Sequence, residues 1–484
     1  MNRKTIVNSL GKIMVVMALL MVIPLLISLG YGEFDNVLDF IIVIVPTLII
    51  GLLCTRVKGT KLSPRDGFLI VTFAWIVISL IGADALFLSD AYPDYISALF
   101  ETVSGFTTTG ASVMPDPGVL GHGMQFFRCF SHWIGGMGVL VFVLMLVPME
   151  NDSSMHLVRA EVPGPTAGKL VPRMKNTSRI LYGIYGAMTF VLFLILVILK
   201  MPVFDAICYS FGTAGTGGFG INSAGFAIYE NHAAIEVVIS IFMLLFGVNF
   251  NLYYFLLLKK FKEFFKSEEL RFYFIIVVTA VITMSFNIYN TIVSIGGTLG
   301  DTVRIALFQV SSIVTTTGFS TYDFTTFPQY SQHVLALFMI TGACAGSTAG
   351  GFKLSRVIIL FKSFIAEIRY MINPKQMVRV RLDGSVVDDK TLRSVRIYCA
   401  AYFIIICVSV LLLSIDGQDF TTNVTAVLAC FNNIGPGLGK VGPCSNYSFY
   451  SGPAKALLSL LMLMGRLEIF PLFMIFAPSA HDRI

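Results

Sequence analysis

Charge is scarce in this chain. Asp, Glu, Lys and Arg together make up 13% of its 484 residues, about half the share of an ordinary soluble domain. That shortage excludes a sizeable soluble domain. Paired cysteines are also missing. The eight cysteines, Cys54, Cys129, Cys208, Cys344, Cys399, Cys407, Cys430 and Cys444, form no C-x-x-C, which excludes a zinc ribbon and a thioredoxin-like motif. They read as buried free thiols, and only Cys430 and Cys444 could both face outward and bond. A nucleophile–base set is absent too: Ser131 and His132 stand together in "FSHWIGG", but no third member or oxyanion donor is evident, so the histidine reads as structural. "GPTAGK", Gly164–Lys169, has three residues between its glycines rather than four, and Leu170 where a phosphate loop needs Ser or Thr. No enzyme and no organic cofactor is expected.

Apolar residues are what the chain has in excess, 56% of the total. Runs such as Ile13–Leu29, Phe68–Leu88, Ile180–Leu199 and Phe272–Val293 are long enough to cross about 30 Å of hydrocarbon as helices. The expectation is an all-α polytopic membrane protein whose partner along most of its surface is membrane lipid. The first run is too long for a signal peptide and lacks a cleavage site, so it reads as an uncleaved helix. Basic residues cluster at Arg3–Lys12, Arg56–Arg65, Arg159–Arg179, Lys259–Arg271 and Lys362–Arg396. By the positive-inside rule all five clusters, and both termini, are cytoplasmic. Nucleic acid is not needed to explain them. The opposite segments carry Asp84, Asp94, Asp205, Asp301, Asp323, Asp416 and Asp419. Such a face would concentrate cations, or the acids are merely tolerated there.

Four segments can be laid under one another: "DYISALFETVSGFTTTGAS" from Asp94, "DAICYSFGTAGTGGFGINS" from Asp205, "DTVRIALFQVSSIVTTTGFST" from Asp301 and "DFTTNVTAVLACFNNIGPGLG" from Asp419. Each opens on an aspartate, suited to a helix N-terminus. Each then runs about twelve residues, roughly 18 Å of helix and too short to span. Each ends on a small polar stretch centred on Gly110, Gly218, Gly318 or Gly435, positions roughly 100 to 117 residues apart. Repetition of this kind marks a structure built from copies. The unit reads as span, re-entrant pore helix, extended loop, span. Non-helical backbone at that depth survives only inside protein or along a watery cavity. Four such loops around one axis give a pseudo-fourfold, K+-channel-like pore in which carbonyls replace an ion's water. A single Thr-Thr-Gly would mark no more than a close helix contact, but four copies in register favour a filter. The candidate K+ ligands are Thr108, Thr109, Gly110; Thr216, Gly217, Gly218; Thr316, Thr317, Gly318; and Asn433, Ile434, Gly435.

These loops, with "FRCFSHWIGGMGVLVF" (Phe127–Phe142), "CAGSTAGGFKLSR" (Cys344–Arg356) and "MGRLEIFP" (Met464–Pro471), resemble the Trk/Ktr superfamily of bacterial potassium uptake proteins, of the TrkH type. The resemblance covers nearly the whole chain. It implies K+ as the transported ion, an inner-membrane homodimer with one pore per protomer, and gating by a cytoplasmic nucleotide-binding regulatory subunit of the TrkA kind. The architecture then comprises an extra helical hairpin, residues 10–55, followed by pore repeats at 66–150, 178–260, 270–365 and 393–478, with ten spanning and four re-entrant helices. The long connections near 151–177 and 366–392 are the candidate docking segments.

Two features stand apart from the filter. Thr341–Gly351, "TGACAGSTAGG", is poor helix material and reads either as a kink or as an unwound stretch beneath the filter. The resemblance implies a gating loop, with Gly346, Ser347, Thr348, Gly350, Gly351 and Lys353 in it. Arg466 sits in the last apolar run, where an unsheltered charge costs at least about 2.5–3.5 kcal/mol. It reads either as half of an ion pair with Glu468 or another acid, or as a positive group on the ion path, and the resemblance implies the second. A sodium- or proton-coupled carrier, which also uses broken helices, is the alternative to a conduit.

Overall fold

The computed structural model describes residues 3–57, 64–138, 174–375 and 379–474. The second half of the last span of repeat one, residues 139–150, the connection 151–173 with its GPTAGK stretch, the basic residues Lys58 and Lys61, and the end of repeat four, 475–478, lie outside them. Among the described residues six helices are long and apolar enough to cross a bilayer, or seven if one sharply bent pair counts as a span.

The chain opens with a helical hairpin, α1 (Arg3–Gly30) and α2 (Phe34–Thr55). Gly11 and Gly51 let the two backbones touch, because a β-carbon on Gly11 would stand 2.8 Å from the Gly51 carbonyl oxygen. Asn8 ties the open end by donating to the carbonyls of Thr55 (2.7 Å) and Val57 (2.9 Å). At the turn, Glu33 caps a distant helix by accepting from the amides of His122 (2.6 Å) and Gly123 (3.1 Å).

Four groups of helices follow. The first has α3 (Pro64–Leu88), the short α4 (Tyr95–Phe106) and α5 (His122–Gly136). Next come α6 (Met174–Ile198), the short α7 (Val203–Gly215) and a bent pair, α8 (His232–Phe246) with α9 (Phe250–Leu257). After a surface turn, α10 (Phe261–Lys266), the third has α11 (Glu268–Ser294), the short α12 (Leu299–Val314), α13 (Gln329–Thr341) and α14 (Leu354–Ile372). The fourth has α15 (Asp389–Leu413), the short α16 (Phe420–Phe431), α17 (Gly452–Arg466) and a last turn, α18 (Phe470–Phe473).

Each short helix packs on the span before it, α4 on α3, α7 on α6, α12 on α11 and α16 on α15. Each also packs on the returning helix of the preceding group: α7 on α5, α12 on α8, α16 on α13, and α4 on α17. The last of these contacts closes the circle. The core therefore lies around the short helices, whose inner faces are almost wholly buried, while outer faces such as Ile275, Ile282 and Phe286 of α11 stay exposed, as a lipid-facing surface requires.

The aspartates start the short helices in two ways. Asp94 and Asp419 are N-caps, accepting from the amides of Ser97 (2.7 Å) and Thr422 (3.0 Å). Asp301 sits one turn in, within a capping box with Thr298, and Asp205 accepts from the Tyr229 hydroxyl (2.7 Å).

Three local departures from the sequence reading have physical causes. The mostly helical chain also carries one small antiparallel hairpin, β1 (Arg381–Leu382) with β2 (Ser385–Val386), which the all-α expectation did not include. It turns on Asp383 (φ 51°) and Gly384 (φ 78°), the Asp-Gly pair favoured for tight hairpins. The connection read as starting at 366 begins later, because α14 continues to Ile372. All eight cysteines are free, but only Cys129, Cys208, Cys344 and Cys430 are buried; Cys54 and Cys399 are half-buried, and Cys407 on α15 and Cys444 in a loop are exposed.

Candidate functional site

The four short helices end alike. Each is closed by an amide reaching back five residues: Thr109 to Ser104 (2.8 Å), Gly217 to Gly212 (2.9 Å), Thr317 to Ser312 (2.8 Å) and Ile434 to Ala429 (2.9 Å). This is the Schellman turn, whose left-handed residue is usually glycine. Here it is Thr108 (φ 57°), Thr216 (φ 54°), Thr316 (φ 57°) and Asn433 (φ 55°). Strain at four buried non-glycine residues persists only where the surroundings over-determine it. Two residues later the backbone is left-handed again, at Gly110, Gly218, Gly318 and Gly435 (φ 78°, 78°, 81° and 92°). The residue between keeps negative φ, and this alternation turns successive carbonyls toward one side.

The sequence-derived filter residues are brought together in one ring. A β-carbon on Gly110 would stand 1.9 Å from the Gly217 oxygen, one on Gly218 1.9 Å from the Thr317 oxygen, and one on Gly318 1.9 Å from the Ile434 oxygen. From Gly435 the Thr109 oxygen lies 2.8 Å from that position. The contacts run from loop one to two, two to three, three to four and back to one. The threonines are braced in pairs, Thr107 with Thr109 (2.8 Å) and Thr315 with Thr317 (2.7 Å). Asn433 crosses between loops, donating to the Thr109 hydroxyl (2.9 Å) and the Met462 carbonyl (3.0 Å). A vestibule of about 210 Å³ opens above the ring, lined in part by Gly110, Gly218, Gly318 and Gly435.

Behind the ring is a layer the sequence reading missed. Glu101 on α4 and Arg128 on α5 are both buried and pair at 2.6 Å. Glu101 also accepts from the Val113 amide (3.0 Å), and Arg128 lies over the Phe219 ring at 4.2 Å. The pair thus joins the outgoing strands of loops one and two. His132, read as structural, links the same loops: its Nδ1 lies 2.8 Å from the Gly105 carbonyl oxygen, and its Nε2 accepts from the Phe219 amide (3.2 Å). Tyr447 braces loop four by donating to the Gly435 carbonyl (2.7 Å). A charge in an otherwise apolar short helix was a usable signal for Glu101; nothing in the sequence paired it with Arg128.

Below the ring, the third group is broken between α13 and α14. Residues 342–353 are non-helical and largely buried, with left-handed backbone at Gly342, Gly346, Gly351 and Lys353. The second group is broken at the same level, where α8 and α9 meet at 89°. Each break satisfies the other, since buried backbone must be paired: Cys344 donates to the Gly247 carbonyl (3.2 Å) and Phe250 to the Gly346 carbonyl (3.0 Å). Ser347 donates to the Cys344 carbonyl (2.6 Å) and Thr348 to that of Phe246 (3.2 Å). The Gly350 amide donates to Thr316 Oγ1 (2.7 Å), so the segment touches the underside of the ring. Buried Lys353 folds back on the Ala349 carbonyl.

Arg466 ends α17 beside this segment. It donates to the carbonyls of Thr348 (3.0 Å), Gly136 (2.7 Å) and Gly135. The acid offered by the sequence as its partner, Glu468, is engaged by Arg356 at 2.5 Å, and Arg356 also lies 4.0 Å over the Tyr398 ring. All seven residues assigned to gating from the sequence therefore lie in, or next to, one segment below the ring.

The TrkH family, described as cation transport proteins, matches residues 32–482. This chain belongs to that family. The TrkH-family match agrees with similarity to individual relatives along their whole length. The Trk system potassium uptake protein TrkG of Escherichia coli K12 is 33% identical over 479 residues, covering 98% of each chain. TrkH of Halomonas elongata is 33% identical over 484 residues, covering 99% of each. The crystal structure of the potassium transporter TrkH from Vibrio parahaemolyticus superposes with a TM-score of 0.88 at 29% identity, covering 99% of both chains. As a TrkH-family member the chain is a multi-pass membrane transport protein and not an enzyme.

Proposed function

We propose that this chain takes up K+ across the bacterial inner membrane through a pseudo-fourfold, carbonyl-lined filter. The observation that carries the reading is the closed ring of glycine–carbonyl approaches among Gly110, Gly218, Gly318 and Gly435. An ion entering such a ring exchanges its water shell for backbone oxygens. Thr108, Thr109, Thr216, Gly217, Thr316, Thr317, Asn433 and Ile434 supply the adjoining oxygens and hold the loops at that spacing. The names of the relatives, Trk system potassium uptake proteins, support K+ as the cargo.

Residues 342–353, with Gly346, Ser347, Thr348, Gly350, Gly351 and Lys353, form the gate beneath the filter, and Arg466 places positive charge beside the ion path. The basic face is cytoplasmic with both termini, as the positive-inside rule requires. On that side a nucleotide-binding subunit of the TrkA kind docks, and the working unit is a homodimer seated in lipid. The Trk-system names of the relatives support a regulatory subunit.

Purified protein in liposomes tests this. K+ and Rb+ fluxes are expected to exceed those of Na+ and Li+, with current reversing near the K+ equilibrium potential. Flux that instead requires a Na+ or H+ gradient would favour a coupled carrier and overturn the conduit.

A further inference from the structure

Glu269 lies in the first turn of α11 and is 7% exposed. One of its carboxylate oxygens, Oε1, accepts from two amides, those of Ala345 (2.8 Å) and Ser355 (2.9 Å). The two amides stand at opposite ends of the non-helical segment: Ala345 is near its entrance, and Ser355 is in the opening turn of α14.

We propose that Glu269 is the latch of the intramembrane gate, a positioning residue that holds both ends of residues 342–353 across the axis. The proposal rests on the reading of that segment as the gate. First-turn amides of a helix need an acceptor from outside the helix, and an anion suits that end of the dipole. The N-cap of α14, Lys353, provides no side-chain cap, so the carboxylate of another helix fills the role. Because one oxygen serves both amides, moving α11 relative to the segment strains both bonds at once. The middle of the segment is held separately, by Thr316, by Arg466 and by the Thr348 hydroxyl on the Phe246 carbonyl.

The neighbouring residue connects the latch to the basic face. The Glu268 amide donates to Asp383 Oδ1 in the β-hairpin turn (2.6 Å). The Glu268 carboxylate pairs with Lys362, which also donates to the Arg381 carbonyl (2.9 Å). The hairpin, the start of α11 and α14 are thus tied at the residue next to the latch. A protein that binds and displaces the hairpin pulls on the first turn of α11 and releases Ala345 and Ser355 together.

The test is K+ flux of the purified full chain in liposomes with no other protein present. Three variants are compared with wild type: Glu269→Ala, Glu269→Gln, and deletion of Gly346–Gly350. The proposal expects the deletion and Glu269→Ala each to raise flux at least tenfold with the K+/Na+ ratio unchanged. Glu269→Gln, whose amide oxygen still accepts from both amides, stays near wild type. A rise on deletion without one for Glu269→Ala overturns the latch and leaves the gate standing. No rise in either overturns both. A Gln variant that leaks like the Ala variant, or an Ala variant that leaks without selectivity, overturns the latch. Should Glu269→Ala not be recovered folded, Glu269→Asp, shorter by one methylene, takes its place, and wild-type flux from it overturns the proposal.

Discussion

Replacing Gly318 by Asp is expected to reduce K+ flux to less than a tenth of wild type while the protein stays folded in detergent. A β-carbon there meets the Ile434 carbonyl oxygen at 1.9 Å and the Pro436 ring at 3.0 Å. No rotamer relieves the first contact, because both atoms belong to the backbone frame. The residue must also keep φ near 81°, which costs an L-residue about 1–2 kcal/mol. Loop four is pushed off the axis and a carboxylate enters the ring. Alanine separates geometry from charge and grades the four sites. Gly110→Ala and Gly218→Ala meet carbonyl oxygens at the same 1.9 Å, whereas Gly435→Ala meets Thr109 at 2.8 Å and should retain the most flux and selectivity. Four folded alanine variants that all conduct and discriminate like wild type would contradict the ring as a filter.

Arg466 gives the largest expected change in the opposite direction. If its guanidinium lies about 6 Å from a passing cation at an effective dielectric near 20, the two repel by roughly 2.8 kcal/mol. Removing all of that is about a hundredfold in rate. Its bond to the Thr348 carbonyl adds a second effect in the same direction, since its loss frees the middle of the gate. Arg466→Ala and Arg466→Gln should therefore conduct faster than wild type at equal protein density, by tenfold or more, and Arg466→Lys should not. A purely structural arginine gives the opposite result, a lower melting temperature and no gain in flux. The check is single-protein flux measured beside thermal stability.

How far the sequence could be read depends on whether a signal is local. The short helices were legible because an aspartate, about twelve residues and a small polar stretch recur in each. The non-helical segment at 342–353 was legible because Gly342, Gly346, Gly350 and Gly351 weaken helix on their own. The break between α8 and α9 was not, since Gly247, Asn249 and Asn251 are a weak interruption of a long apolar stretch, and the break is stabilised by backbone partners about a hundred residues away at Cys344 and Gly346. The left-handed threonines at Thr108, Thr216 and Thr316 were likewise invisible. Threonine disfavours that conformation, and only the closed ring imposes it. Glu101 with Arg128, and Glu269 with its two amides, are pairings between elements, which no single stretch encodes. The β-hairpin is the contrary case: the Asp383-Gly384 signal was present in a stretch read as an open connection.

If the ring is a filter, an ion sits among the four glycine-bearing loops. Anomalous scattering from a crystal grown in Rb+ tests it without dependence on the gate. Rb+ density is expected on the axis, ringed by the carbonyl oxygens of Thr109, Gly217, Thr317 and Ile434. Ordered Rb+ elsewhere in the chain with none at that ring, under ion concentrations that sustain flux, would contradict it.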